Sequence, residues 1–259
     1  MFAVARAAPV RALCEAFVGL IYPPFCAICQ SGLDETNASD ASDSLCVDCL
    51  RHVRAIRHCI RCSAEIQPHW QEQGTGCPWC GHLKFRFDGA ISLGNYEASL
   101  QAAALRSKTA AGVATTWGLG RALGTLVAQK YGPDYFDRIL PVPTHWLRRI
   151  RRGVSPADIL ARGIGKSIAA RLSTRSIVAR RSIRKQSTLR IADRRENVRD
   201  AYASANGLNF FGQRILVVDD LLTTGATASA IGRICRQAKA AEVHVAVVAR
   251  TAPRFMTDE

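Results

Sequence analysis

The chain has 259 residues, 48% hydrophobic and 22% charged, which is enough apolar content to build one large or two modest cores. No apolar run reaches the ~18 residues of a membrane-crossing helix. Lys and Arg outnumber Asp and Glu by 35 to 21, a net charge of +14 that favours polyanionic partners.

Residues Met1–Tyr22 are mildly amphipathic, with Arg6, Arg11 and Glu15 breaking up the apolar positions. Glu15 splits the would-be apolar centre of a signal peptide and no good cleavage site follows, so this stretch reads as a short helix on the next module. A chain without a secretion signal is expected in the cytoplasm. Thiols stay reduced there, so its ten cysteines point to metal rather than disulfides.

Eight of those cysteines form four Cys-x-x-Cys pairs: Cys26/Cys29, Cys46/Cys49, Cys59/Cys62 and Cys77/Cys80. Sixteen residues separate the first two pairs and fourteen the last two, close to zinc-ribbon spacing. Each pair presents two thiolates to one ion, and two pairs complete a tetrahedral four-sulfur site, so about two structural Zn(2+) ions are expected. Pairing within consecutive halves is preferred, although spacing alone leaves an interleaved cross-brace open. The segment is polar and short, so metal must supply much of its folding energy. Asp34–Ser44 reads as a polar, acidic, mobile loop inside the first ribbon. Cys14 and Cys235 lie on helical patterns and read as core residues.

Beyond Phe85 the pattern becomes α/β. Asp88–Leu93 reads as a strand, Glu97–Lys108 and Ala111–Lys130 as helices, the second with Trp117 on its apolar face, and Asp137–Val142 as a strand closed by Pro143. Ser155–Leu172 reads as a helix with Ser155 as N-cap and Pro156 in its first turn. Ser176–Ala179 and Ala201–Ser204 read as short strands around a polar stretch, Arg180–Arg199. Arg214–Val218 and Glu242–Ala249 are apolar strands joined by a crossover helix, Ala226–Lys239. Alternating strands and helices predict a mostly parallel sheet covered on both faces. The expected division is an N-terminal helix over 1–22, a double zinc ribbon over 23–84 and an α/β domain over 85–259.

The most informative string is Val217-Val218-Asp219-Asp220-Leu221-Leu222-Thr223-Thr224-Gly225-Ala226-Thr227. A buried strand ends in two carboxylates, and a small hydroxyl-rich turn follows and opens a helix. Backbone N–H groups of residues 224–227 and the helix dipole are suited to a phosphate, with hydroxyls of Thr223, Thr224 and Thr227 assisting. Gly225 lets the backbone approach the anion without a Cβ in the way. Asp219 and Asp220, as acceptors, suit two neighbouring ribose hydroxyls. The string resembles the 5-phosphoribosyl-1-pyrophosphate (PRPP) loop of type I phosphoribosyltransferases. A similar opening occurs in response-regulator receivers, but there it starts a domain of roughly 120 residues, whereas 39 residues follow Asp220 in this chain.

The positive charge is concentrated. Residues 145–199 hold sixteen Lys/Arg against Asp158, Asp193 and Glu196, a net +13 in 55 residues. This segment reads as a contact for pyrophosphate or a nucleic-acid backbone, with Arg148, Arg149, Arg151 and Arg152 its densest part. Trp146 beside these arginines offers a base-stacking platform or simply packs under the loop.

Cysteine knuckles ahead of a phosphoribosyl loop resemble the ComF/GntX family, implicated in DNA uptake and use. Val142-Pro143 with Arg152-Gly153, Gln186-Ser187-x-Leu189 and Arg195-x-Asn197-Val198-x-x-Ala201-Tyr202 are similar to that family's motifs, and the resemblance covers roughly residues 23–250. It implies a type I phosphoribosyltransferase-like sheet, PRPP bound with Mg(2+) at Asp219, Asp220 and Thr223–Thr227, single-stranded DNA as a ligand, and the DNA-uptake machinery as partner. The chain departs from the family at Val154-Ser155-Pro156, where the family has Phe-Asn-Gln, and at Leu105-Arg106-Ser107-Lys108, where it has Leu-Lys-aromatic. An active phosphoribosyltransferase on an unknown acceptor is the alternative. There Arg148, Arg149, Arg151 and Arg152 would clamp the departing pyrophosphate, but no acceptor-recognition loop stands out and no catalytic residue is assigned. A PRPP-responsive regulator of duplex DNA ranks last, because no helix-turn-helix pattern is visible.

Overall fold

The computed structural model describes residues 24–34, 36–39, 42–66, 77–81, 83–144, 155–180 and 201–251. The expected N-terminal helix, Cys14, Trp146, the four arginines 148, 149, 151 and 152, and the motifs between 181 and 200 lie outside them.

In chain order the elements begin with β1 (Ala38–Ser39), β2 (Ser42–Cys46) and α1 (Val47–Ala55). Next come β3 (Gly89–Asn95), α2 (Ala98–Arg106), a 3-10 turn over Ala110–Gly112, and α3 (Val113–Tyr131). β4 (Arg138–Pro141), α4 (Pro156–Ile164), β5 (Arg171–Leu172), β6 (Ile177–Ala179) and β7 (Tyr202–Ser204) follow. The chain closes with β8 (Arg214–Leu222), α5 (Ala226–Gln237) and β9 (Glu242–Arg250).

Five strands form one parallel sheet in the order β3-β9-β8-β4-β5. Successive residues of β8 alternate faces, so Leu216 and Val218 join one apolar layer while Ile215 and Val217 join the other. The first layer is completed by α2, α3, α4 and the first cysteine cluster, the second by α5 and Phe210. Burial on both faces explains the unbroken apolar runs in β8 and β9. α3 and α4 pack backbone to backbone: a Cβ on Gly120 would meet the Leu160 carbonyl at 2.6 Å.

Several elements differ from expectation. The helix predicted over Ser155–Leu172 ends at Ile164. Beyond Gly165 the chain is recruited to the sheet: the Ala169 N–H donates to Pro133 O and the Arg171 N–H to Asp137 O, which lays β5 along β4. Pairing at a free edge outweighs helical periodicity there. Ser155 precedes α4 but its side chain makes no capping bond. Trp117 is exposed, because α3 buries Thr116, Leu119, Gly120, Leu123 and Val127 instead. The stretch read as a mobile loop contains β1 and β2, paired antiparallel. Asp34 anchors its entry by accepting from the N–H groups of Thr36 and Asn37. Tyr202–Ser204 pairs with β6 in a separate antiparallel ribbon rather than in the main sheet.

The connections leave β4 toward β5 on one side, while β8 lies on the other side. A reversal of this kind opens a crevice beyond the strand C-termini, where open α/β sheets bind ligands. The acid pair stands at that end of β8.

Candidate functional site

β8 is longer than its apolar run. It continues through both acids to Leu222, with Asp219 opposite Val247 and Leu222 opposite Arg250 of β9. The carboxylates are therefore part of a rigid strand end, not the start of a loop. Asp219 Oδ1 accepts the Asp220 N–H at 2.9 Å. Lys108, just after α2, reaches Asp220 Oδ2 at 3.2 Å, with both side chains mostly buried. Burial, then the neighbouring Asp220 charge, pushes the Asp219 carboxyl well above the usual carboxylate range, while Lys108 pulls the other way.

The turn after Leu222 meets the helix as the sequence requires. Gly225 is left-handed at φ +73° and precedes α5, whose Ser229 N–H donates to Gly225 O at 2.8 Å. Thr224 Oγ1 accepts the Ala226 N–H at 3.3 Å, and Thr223 and Thr227 also have partners. Packing gives a further reason for glycine: a Cβ on Gly225 would stand 2.7 Å from the Phe85 ring. Phe85 stacks on Phe87 with ring centroids 4.5 Å apart, and the Arg61 guanidinium lies over its outer edge, 5.7 Å from the centroid.

The cysteines gather in consecutive halves, Cys26/Cys29/Cys46/Cys49 and Cys59/Cys62/Cys77/Cys80, with the four sulfurs of each within 4.8 Å of one another. The interleaved cross-brace is not what forms. Cys29 and Cys46 Sγ atoms lie 3.8 Å apart, and the pairs Cys59–Cys80 and Cys62–Cys77 lie 3.7 Å apart. All are free thiols, far beyond disulfide length. Four sulfurs at about 2.3 Å from one ion at tetrahedral angles stand about 3.8 Å apart, so both donor sets fit a tetrahedral ion such as zinc. Bonds among the thiols hold Cys59 far below an ordinary thiol and push Cys62 and Cys80 up. Cys235, in contrast, is fully buried on the inner face of α5, and burial pushes its thiol up to about 12.

Two arginines that the sequence reading passed over stand at the sheet's ligand end, one bonded to the first cluster and one to the turn after β8. Arg106, at the end of α2, donates to Ile28 O inside the first knuckle at 2.7 Å, two residues before Lys108. Arg250, the last residue of β9, donates through Nη1 to Leu222 O and Thr251 O, each at 2.7 Å, and to Thr223 O. A charged residue closing the otherwise apolar run Val243–Ala249 was the available signal for Arg250. Phe85 carried none, since its role depends on the tertiary meeting with Gly225.

A phosphoribosyl transferase domain model matches residues 150–255. Competence protein F of Haemophilus influenzae is 26% identical over 218 residues, covering 83% of this chain and 93% of that protein. DNA utilization protein YhgH of Escherichia coli K12 is 29% identical over 115 residues, covering 44% of this chain and half of that protein. Among solved structures, the glutamine PRPP amidotransferase of B. subtilis, complexed with ADP and GMP, is 22% identical with a TM-score of 0.35, over 52% of this chain and 27% of that one. The parallel sheet with helices on both faces, preceded by a Cys-rich region, is of the type I phosphoribosyltransferase kind.

Proposed function

We propose that this chain, which belongs to the ComF/GntX family, binds PRPP with Mg(2+) at Asp219–Thr227 and holds single-stranded DNA on its basic segment in the service of DNA uptake or use. One observation carries the PRPP reading. Two acids stand near the C-terminal end of a central strand beside the topological reversal, and a left-handed Gly225 turns directly into the N-terminus of α5. In that arrangement the acids suit adjacent ribose hydroxyls and the first turn of α5 suits the 5′-phosphate. Lys108, paired with Asp220 at 3.2 Å, puts a cation beside the acids that suits the pyrophosphate of such a ligand. Mg(2+) bound along with PRPP would supply neutralisation of the pyrophosphate charge. Zinc in both four-cysteine sites is part of this reading, as is a cytoplasmic setting alongside the uptake machinery. No helix among the described residues is long and apolar enough to cross a membrane.

The DNA reading draws support from the names of the relatives and from the charge of residues 145–199. Its densest part, Arg148, Arg149, Arg151 and Arg152, lies in the sequence between β4 and α4.

Calorimetric titration of PRPP with Mg(2+) tests the site. The Asp219→Ala/Asp220→Ala double variant is expected to bind at least tenfold more weakly, since losing charged hydrogen-bond partners costs roughly 1.5–3 kcal/mol each. Equal binding by the two proteins rejects the PRPP assignment. Pyrophosphate release on adding candidate bases would favour the catalytic alternative. For DNA, log affinity for a single-stranded oligonucleotide should fall linearly with log salt at about 0.7 per phosphate contacted. Neutralising the four arginines together should flatten that slope with the metal content intact, and an unaltered slope moves the DNA site elsewhere.

A further inference from the structure

Lys108 is the cation paired with Asp220, and it stands in the short segment from Arg106 to Gly112 that joins α2 to α3. That segment is bonded to itself and to α3. The Lys108 N–H donates to Leu105 O at 3.1 Å, and the N–H and hydroxyl of Thr109 donate to Arg106 O at 3.0 and 2.9 Å. The Thr116 hydroxyl of α3 reaches back to Ser107 O at 3.3 Å, and Ser107 is fully buried. A Cβ on Gly112 would overlap Arg106 O, so the residue before α3 lies directly on that carbonyl. The Arg106 side chain ties the same segment to the first cysteine cluster. Its Nη2 donates to Ile28 O at 2.7 Å, between the ligands Cys26 and Cys29. Its Nε is buried and has no partner among the described residues. The knuckle meets α3 as well, since a Cβ on Gly118 would stand 2.8 Å from the Ala27 Cβ.

We propose that Arg106 is a positioning residue that carries the geometry of the first four-cysteine site to Lys108, so that the Lys108–Asp220 pair depends on the metal in that site. The path is short and every step in it is a bond. Ile28 lies between two sulfur ligands, Arg106 holds its carbonyl, and Lys108 follows two residues later in a segment whose own bonds make it move as a unit. Metal joining Cys26 and Cys29 to Cys46 and Cys49 fixes Ile28 O in front of Arg106. With the metal lost, the knuckle is free to change shape and Nη2 loses its acceptor. A part-buried guanidinium without that acceptor is costly, so the side chain turns toward water and the segment loosens with it. The two cations thus divide the work: Lys108 faces the acid pair and Arg106 faces the cage. The first ribbon is then a support for the ligand end of the sheet as well as a folding unit. The inference rests on the proposed function only for its consequence, weaker PRPP binding; the structural link itself concerns the free protein.

Hydrogen exchange of the full-length, metal-loaded chain tests it with no ligand added. The probes are the amides of Lys108, Thr109 and Gly112, which donate to Leu105 O, Arg106 O and Thr109 O. Arg106→Met keeps an apolar stem and removes the donors. Exchange at the three amides should rise about tenfold or more, the effect of one lost charged hydrogen bond, and a chelator should strip the first metal at a lower concentration. Val142, whose N–H donates to Val218 O, and Ser63, whose N–H donates to Cys59 O in the second cluster, should exchange as before. Arg106→Lys restores a charged donor and should recover most of the lost protection. Lys108→Met removes the pair with Asp220 and should leave the chelator resistance of the first metal unaltered. Unaltered exchange at the three amides in Arg106→Met overturns the proposal, and so does a rise of equal size at Val142. If that variant does not fold, wild-type protein titrated with a chelator decides. Protection of the three amides must then fall together with that of Gln30, whose N–H donates to Cys26 O, and before that of Val142. Its survival after Gln30 has lost its own overturns the proposal. PRPP affinity is measured separately, so a failure of the PRPP reading leaves the exchange result standing.

Discussion

The two cysteine clusters have nearly the same spacing and opposite dependence on the rest of the molecule. Cys26, Ala27, Ile28 and Leu45 of the first are buried in the same apolar layer as Leu119 of α3 and Leu216 of β8. The second cluster forms a small layer of its own, Cys59, Cys62, Ala64 and Cys80, with Trp79 and Phe85 against it. Contact is close at the first: a Cβ on Gly118 of α3 would stand 2.8 Å from the Ala27 Cβ. Ligand spacing therefore specifies a metal cage but not what the cage is for. That is decided by the intervening residues, which are apolar in Ala27-Ile28 and include a guanidinium in Ile60-Arg61.

The comparison is broken most severely by removing one ligand from each cage. Cys26→Ser and Cys62→Ser should each reduce bound metal from about two ions to about one by elemental analysis. Structural zinc contributes on the order of 10 kcal/mol to the folding of its unit. Cys26 lies in the main core, so its loss should lower the thermal midpoint of the whole chain by about 10 °C or more, at about 2–4 °C per kcal/mol. Cys62→Ser should lower it by less than half as much, with exchange rising chiefly in the second cluster and around the turn at 223–226. Equal drops in midpoint would mean that both cages belong to one cooperative unit.

A smaller perturbation is aimed at the contact between the second cluster and the turn. Gly225→Ala meets two obstacles, the left-handed backbone and the Phe85 ring, and should cost about 1–3 kcal/mol. Phe85→Ala opens that space. In its background the Gly225→Ala penalty should shrink by roughly 0.5–2 kcal/mol, leaving the backbone part in place. Denaturant unfolding of the four proteins measures this. Full additivity would mean that Phe85 does not press on the turn.

Much of this was legible in the sequence. The cysteine rhythm gave both ligand sets, and the string around Asp219 gave a strand, a turn and a helix start in their correct order. What was not legible depends on tertiary partners. The end of α4 is set by a free edge on β4, and the ordering of Asp34–Ser44 by Asp34 side-chain bonds and strand pairing. Periodicity placed Trp117 inward, whereas α3 meets α4 through glycines that score weakly as apolar residues. Arg106 and Arg250 are the clearest omissions. Arginine in a basic chain reads as surface charge, and only its burial and its bonds to the backbone after β8 distinguish Arg250 from the rest.

The smallest predicted effect concerns the acid pair. Burial, then Asp220, raises the Asp219 carboxyl, so the folded chain holds that proton more tightly than the unfolded chain does. Stability from this residue is therefore full below the unfolded value, about 3.9, and falls as pH rises from there through the raised folded value. Asp219→Asn should remove that slope from a plot of unfolding free energy against pH. A bound cation favours the ionised acid, so Mg(2+)–PRPP binding should strengthen with pH across the same window, by at most about tenfold per unit for one proton. Calorimetry in buffers of different ionisation enthalpy should detect the released proton. Lys108 lowers Asp219, so Lys108→Met should move the window upward and extend proton release to higher pH. An identical pH profile in wild type and Asp219→Asn would place the titrating group elsewhere and leave Asp219 as a plain hydrogen-bond acceptor.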